Sequence, residues 1–186
     1  MGELKHMSLT PTINSVPSQY RKMERERHRT IHCKNSIHRA DHFINFCITA
    51  HSIQDYILEH INEIQKNEAD SQKKIWNSNP IIKAVVEISN SSKHFKIRNT
   101  KTKKQRQVTT KNVKKTKSDY VEIHEFSDGT IGINIIEVND YSVHISDGSR
   151  HNLDEFMKSV LAFWKAELKS HGVIIRRQSR ASLIGE

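Results

Sequence analysis

Hydrophobic and polar positions recur along residues 36–64 at helical spacing and predict one long helix. At about 100° per residue, the apolar side chains cover more than half of its circumference. A helix that is apolar over so much of its surface is expected at the centre of a fold. Asn35 or Ser36 would cap its first turn. The apolar positions are Ile37, Ala40, Phe43, Ile44, Cys47, Ile48, Ala50, Ile57, Leu58 and Ile61.

The stretches on either side of this helix carry weaker patterns. Residues 20–32 are densely charged and fit a short helix with Glu–Arg side-chain pairs or a basic arm, and the helix is the favoured interpretation. Residues 67–77 are polar without a period and predict a connector. Asn79 and Pro80 are then N-cap and first-turn signals for a second helix that runs to about residue 95.

Alternating apolar and polar residues in the second half of the chain predict an antiparallel meander. The predicted strands cover residues 107–113 (an edge strand), 120–126, 130–138 and 142–146. Three polar dipeptides supply the turns, and the last of them ends the meander: Asp128-Gly129, Asn139-Asp140 and Asp147-Gly148.

A last amphipathic helix is predicted over residues 153–170, capped by Asn152 or Ser149 and ended by His171-Gly172. The order of two antiparallel helices, three or four antiparallel strands and a C-terminal helix is typical of the α+β class. A single sheet with helices on one face is the simplest assembly.

Length and composition favour one domain with two tails. The 186 residues are 35% hydrophobic, enough for a modest core. Residues 1–19 predict a flexible lead-in, 20–171 a single α+β domain, and 172–186 a basic mobile tail. Cys33 and Cys47 form no disulfide framework, and no signal peptide or long apolar run is present, so a cytoplasmic protein without a membrane partner is expected.

The net charge of +9 points to a polyanionic partner, and one basic segment, residues 96–117, holds much of it. This segment contains no acidic residue and is expected to be a loop or edge strand. It predicts nucleic-acid binding, to RNA more than to DNA; the alternative is a soluble protein with cationic tails. The expected contacts are Lys96, Arg98, Lys101, Lys103, Lys104, Arg106, Lys111, Lys114, Lys115 and Lys117.

Two polar residues interrupt the apolar arc of the long helix and form a candidate site. Asp55 follows His51 by one helical turn and could fix its tautomer for acid–base chemistry. Asn90, Lys93 and His94, at the end of the second helix, are expected to face this pair and complete a catalytic set. The alternative is a structural core pair, since a buried ion pair must be hydrogen-bonded on both sides.

The polar stripe of the long helix offers a weaker candidate. His38, Asp41, His42 and Asn45 have the i, i+3, i+4, i+7 spacing that can hold a divalent ion. A solvent-facing helix has the same spacing, so no metal site is assigned, and no cofactor is expected either.

Residues 20–95, with a long helix bearing His and Asp and a second helix ending in Lys-His, resemble the all-helical HEPN-type domains of RNA-cleaving toxin and defence proteins. The hallmark of that family is an Arg and a later His separated by four to six intervening residues. Arg27 and His32 have four residues between them, and Arg25 and His32 have six. The strands predicted after residue 119 lie outside that family's core.

The expected function is therefore that of a small nucleic-acid-binding protein, more RNA-directed than DNA-directed. The resemblance implies a metal-independent ribonuclease of a defence or toxin type. The alternative is a non-enzymatic protein-interaction, inhibitor or adaptor module from a mobile element, in which His51 and Asp55 are a core pair. A homodimer is an assembly that the sequence leaves open.

Overall fold

The computed structural model describes residues 15–61, 66–93, 96–98, 105–107 and 112–175. Helices and a three-stranded sheet share one core, so the predicted α+β class is confirmed. The elements in chain order are α1 (Val16–His32), α2 (Ser36–Ile61), α3 (Lys66–Ser78), α4 (Pro80–Lys93), β1 (Lys96–Arg98), β2 (Gln105–Gln107), β3 (Val113–Glu125), β4 (Ile131–His144), β5 (Arg150–Asn152) and α5 (Leu153–Ser170).

Asparagine side chains set the starts of three helices. The Asn35 Oδ1 accepts the backbone N–H of Ile37 at 2.9 Å, and Asn79 does the same for Ile81 at 2.9 Å. Asn152 begins α5 with a reciprocal capping box. Because these caps use only local contacts, the starts of α2, α4 and α5 were predictable from the sequence.

The stretch predicted as a connector is instead the helix α3, and among its described side chains Trp76 is the one buried in the core. Trp76 is 1% exposed, and its ring lies edge-on to Trp164 of α5 at 5.5 Å between centroids. Its indole N–H donates to Glu167 Oε2 at 2.8 Å. One buried tryptophan leaves no hydrophobic period in a polar stretch, so the pattern could not reveal this helix.

The core lies where α2 meets α1, α4 and α5. Phe43, Phe46, Cys47, Ala50, Ile53 and Ile57 of α2 are buried there. Burial raises the pKa of the Cys47 thiol, which is a free cysteine. The other side of the predicted apolar arc is less covered, since Ile44, Ile48 and Leu58 are half-buried and Ile37 is exposed. The helix is central along one face only.

The strands form two sheets instead of one. β1 pairs with β2, and β3, β4 and β5 form a separate antiparallel sheet in that order. β3 and β4 stay paired from Val113↔Val143 to Glu125↔Ile131. The base of this hairpin packs on the helices, with Val143 wholly buried.

One of the turns predicted for the meander is wrong. Asn139 and Asp140 form no turn; they pair with Lys117 and Thr116 inside one long strand, β4. The hairpin turn at Asp128-Gly129 is confirmed, with Gly129 at φ +79°, whereas Asn139-Asp140 lacks the glycine that a tight turn favours.

The strand predicted over residues 107–113 is also not one element. Gln107 ends β2 and Val113 begins β3, while residues 108–111 lie outside the described residues. The predicted lead-in 1–19 and tail 172–186 fall largely outside them too. α1 already begins at Val16, within the predicted lead-in. No helix in the described part of the chain is both long and apolar enough to cross a membrane.

Candidate nucleic-acid interface and histidine site

His51 lies between α2 and α4. The side chain is half-buried, and Nδ1 is 3.2 Å from the hydroxyl of Ser89, which is wholly buried on α4. The structure therefore brings His51 to the C-terminal half of α4, as expected from antiparallel helices. This contact joins two helices across the core boundary.

Asp55 does not lie inside an apolar arc. The residue is exposed, and its carboxylate Oδ1 is 2.6 Å from Lys73 Nζ of α3. The sequence assigned the role of its partner to Lys93, because α3 was not foreseen there. A solvent-exposed ion pair of this kind contributes little to stability.

The remaining members of the predicted catalytic set are only partly described. Asn90 is half-buried and follows Ser89 along α4. Lys93 ends α4, and its side chain, like the whole of His94, lies outside the described residues. The described part of the set is therefore His51 beside Ser89, with Asp55 bonded to α3.

Among the four residues of the polar stripe of α2, His42 lies against a neighbouring helix. The His42 Nδ1 is 3.4 Å from Glu26 Oε2 on α1, and Glu26 is 5% exposed. The other oxygen of Glu26 accepts from Arg29 at 2.8 Å. Within the described ranges, no group of three or more His, Cys, Asp or Glu side chains is placed to hold a metal ion.

The first half of the basic segment forms a short two-stranded ribbon. Lys96 pairs with Gln107 and Arg98 with Gln105 across the β1–β2 ladder, and Arg106 pairs with Ile97. A two-stranded ribbon is one of the elements that fit the major groove of B-DNA. Four other predicted contacts lie outside the described residues: Lys101, Lys103, Lys104 and Lys111.

The second half of the basic segment forms the base of β3, where Lys114, Lys115 and Lys117 are all exposed. Because strand side chains alternate between faces, Lys114 lies on one face and the other two on the opposite face. Lys115 also borders a cavity of about 380 Å³ whose walls include Phe43 and Ile88. The three lysines therefore flank the strand instead of forming one flat row.

Two further basic residues join Lys114, and the sequence reasoning missed both. The register places His144 opposite Arg150, on the face of the sheet that carries Lys114. Partial burial, together with the charges of Lys114 and Arg150, lowers the pKa of His144. The turn at Asp147-Gly148 was expected to end the meander. Had it been interpreted as a hairpin that leads into a third strand, His144 and Arg150 would have been predicted to lie opposite each other.

The chain switches its charge abruptly after Lys117. Residues 118–149 contain seven Asp or Glu and no Lys or Arg, directly after a segment with ten Lys or Arg and no acid. The outer part of the hairpin therefore carries acids without a Lys or Arg, whereas the base carries Lys114, Lys115, Lys117 and Arg150 beside Asp119, Glu137 and Asp140. A polyanion is repelled by the outer hairpin and can be attracted only to the lysines and arginines of the basic segment and the base.

Of the Arg and His residues in α1 that have the HEPN-type spacing, Arg27 makes a contact with another helix. The Arg27 Nε donates to Asp154 Oδ1 at 2.8 Å and so ties α1 to the start of α5. His32 is exposed, and its ring lies 4.2 Å from that of His28 between centroids. The arginine of the closer spacing thus helps to hold the fold.

Comparison with known proteins finds no match: no family model, no curated protein and no solved structure resembles this chain significantly. The resemblance of residues 20–95 to HEPN-type domains therefore stays a prediction from the residues alone.

Proposed function

We propose that this protein binds nucleic acid, RNA in preference to DNA, through the basic segment 96–117 and the neighbouring Arg150. The observation that carries the proposal is the separation of charge along the chain. Ten Lys or Arg without an acid are followed by an acidic hairpin. Exposed Lys114 and Arg150 extend the basic region across the base of three strands.

The physical basis is counterion release. Each phosphate neutralised by a lysine or arginine frees a condensed cation, so affinity falls as salt is added. The acidic hairpin gives this attraction a direction, because phosphate bound along it would meet only like charge. The preference for RNA rests on the resemblance of residues 20–95 to an RNA-directed family.

We propose binding without strand cleavage. The contacts around the histidine site support a structural role, since His51 lies within hydrogen-bonding distance of buried Ser89 and Asp55 is paired with Lys73. A cleaving site would need one imidazole to take the 2′-hydroxyl proton and a second group to protonate the leaving oxygen. Such a role for His51 with His94 remains the alternative, and it is tested below.

The binding proposal is tested by the salt dependence of affinity for a single-stranded RNA. Replacing Lys114 and Arg150 by Gln should flatten the log–log slope by about 1.4, since each lost contact removes roughly 0.7 on a single strand. The matched control replaces Lys165 and Lys169, two exposed lysines of α5, by Gln. An equal change in both double variants, or none in the first, contradicts the proposal. A DNA of the same sequence tests the preference for RNA.

The role of His51 is tested by combining stability with activity. If the residue is structural, His51→Ala should lower the free energy of unfolding by about 0.5–1.5 kcal/mol, because the hydrogen bond to Ser89 is lost. The wild type should then leave RNA intact with or without chelator. Cleavage by the wild type that disappears in a stably folded His51→Ala variant would show instead that the residue is catalytic.

A further inference from the structure

The outer part of the β3–β4 hairpin carries an uncovered aliphatic face. Its five members are each between 52% and 71% exposed. We call this set the arm face: Val121, Ile123, Ile131, Ile133 and Ile135. Soluble monomers rarely expose so many branched aliphatic side chains side by side.

The register explains why these residues share one face. Val121 pairs with Ile135, Ile123 with Ile133, and Ile131 with Glu125. Residues directly opposite each other on neighbouring strands, and residues two apart on one strand, point to the same side. The arm face is therefore one contiguous strip, three residue pairs long.

The same side of the hairpin is the one that packs into the core at its base. Val113 and Val143 are opposite each other, and Val143 is wholly buried. Val121 is eight residues beyond Val113, so it lies on that same side. The apolar side of the hairpin thus continues beyond the part that the helices cover. An apolar surface left uncovered in this way is available for contact with another molecule.

The size of the arm face fits part of a protein–protein interface. At about 30 Å² per methyl or methylene group, five such side chains at two-thirds exposure present roughly 400 Å². A standard interface buries about 800 Å² on each partner. The arm face would form its apolar centre, and the polar residues around it would supply the rim.

We infer that the arm face binds the arm face of a second copy of this chain, with the two hairpins antiparallel about a two-fold axis. A purely aliphatic strip is complementary to itself, as a two-fold contact requires. Charge favours the antiparallel direction. The tip of each hairpin bears Glu125 and Asp128 without a cation. The base bears, on the arm-face side, Lys115 and Lys117 beside Asp119 and Glu137, so an acidic tip is repelled less by a base than by another tip.

Other occupants fit this charge distribution less well. A parallel pair of hairpins would bring acidic tip to acidic tip. An anionic membrane surface or a nucleic acid would meet the acidic hairpin with like charge. The inferred dimer does not rest on nucleic-acid binding, so the two proposals fail independently.

The first test is the mass of the full chain in solution without nucleic acid. Sedimentation velocity from about 1 µM to about 100 µM should show the 21.6 kDa chain shifting towards twice that mass. Ile123→Lys and Ile133→Lys should each raise the dimer dissociation constant at least tenfold. Ile75→Lys is the control, because Ile75 is 62% exposed on α3. A wild type that stays at monomer mass, or a dimer unaffected by both arm variants, overturns the inference.

The second test locates the contact and its direction. A contact between Glu125 and Lys117 of the second copy places the two-fold axis at Val121 and its cross-strand partner Ile135. In a Cys33→Ser background, Ile135→Cys should therefore form a disulfide-linked dimer on oxidation, since residues near a two-fold axis face their own copies. Ile37→Cys, similarly exposed on α2, should not. Glu125→Lys should weaken the dimer and Lys117→Glu should restore it. Equal cross-linking at both cysteines, or no rescue by the second charge reversal, contradicts the antiparallel contact.

Discussion

The docking of α3 through Trp76 makes the sharpest stability prediction. The residue is 1% exposed, its ring contacts Trp164, and its indole N–H is bonded to Glu167. Replacing a buried tryptophan by alanine removes the transfer free energy of the ring and leaves a cavity. We expect Trp76→Ala to lower the free energy of unfolding by about 3–5 kcal/mol.

A second substitution separates the hydrogen bond from the packing. Trp76→Phe keeps an aromatic ring but loses the donor to Glu167. A hydrogen bond to a charged group contributes about 1.5–3 kcal/mol, and the lower end applies because Glu167 is half-buried and keeps contact with water. Because the smaller ring also leaves a small cavity, Trp76→Phe should cost about 1.5–3 kcal/mol, less than Trp76→Ala.

Urea unfolding followed by far-UV circular dichroism measures both effects, since the substitution removes one of two tryptophan fluorophores. The control is Ile75→Ala, the neighbouring residue on the same helix, which is 62% exposed. Its cost should stay near 0.5 kcal/mol, a typical value for a surface position. Similar costs for Trp76→Ala and Ile75→Ala would refute the docking of α3 on α5.

Three other substitutions test local features. Burial raises the pKa of Tyr20 to about 12, and its hydroxyl donates to the Leu161 carbonyl at 3.2 Å. Because burial favours the neutral phenol in the folded state, the contribution of Tyr20 to the free energy of unfolding is complete below about pH 10 and is lost towards pH 12. In urea titrations over this interval, the wild type should therefore lose more stability than Tyr20→Phe. Gly172→Ala should cost about 1 kcal/mol in thermal unfolding, because Gly172 has φ +74° with nothing near its added methyl group. Asn79→Ala should also cost about 1 kcal/mol by removing the cap of α4, and Asn79→Ser should restore most of it.

Part of the candidate interface was readable in the sequence, and part was not. The basic segment needed only a count of charges, and the register now places Lys114 at the base of the sheet. Arg150 and His144 were missed because β5, three residues long, gives almost no periodic signal. Their proximity to Lys114 is a consequence of strand pairing.

The histidine site shows the opposite limit. Spacing by four residues places His51 and Asp55 one turn apart, yet it cannot say what covers that side of the helix. The position of α3 decided the outcome, because Lys73 of that helix bonds Asp55. For His51, the surroundings are set by the buried Ser89 of α4, whose hydroxyl lies beside the imidazole.

The sequence by itself determined the features that depend on neighbours along the chain. The bounds of α5 agree with prediction because the Asn152 cap and Gly172 act within one helical turn. The turn at Asp128-Gly129 is equally local. Tertiary structure alone decided the docking of α3, the continuation of β4 through Asn139-Asp140, and the exposure of the arm face. Apolar alternation predicts which side of a strand is apolar, but only the positions of the helices determine whether that side is covered.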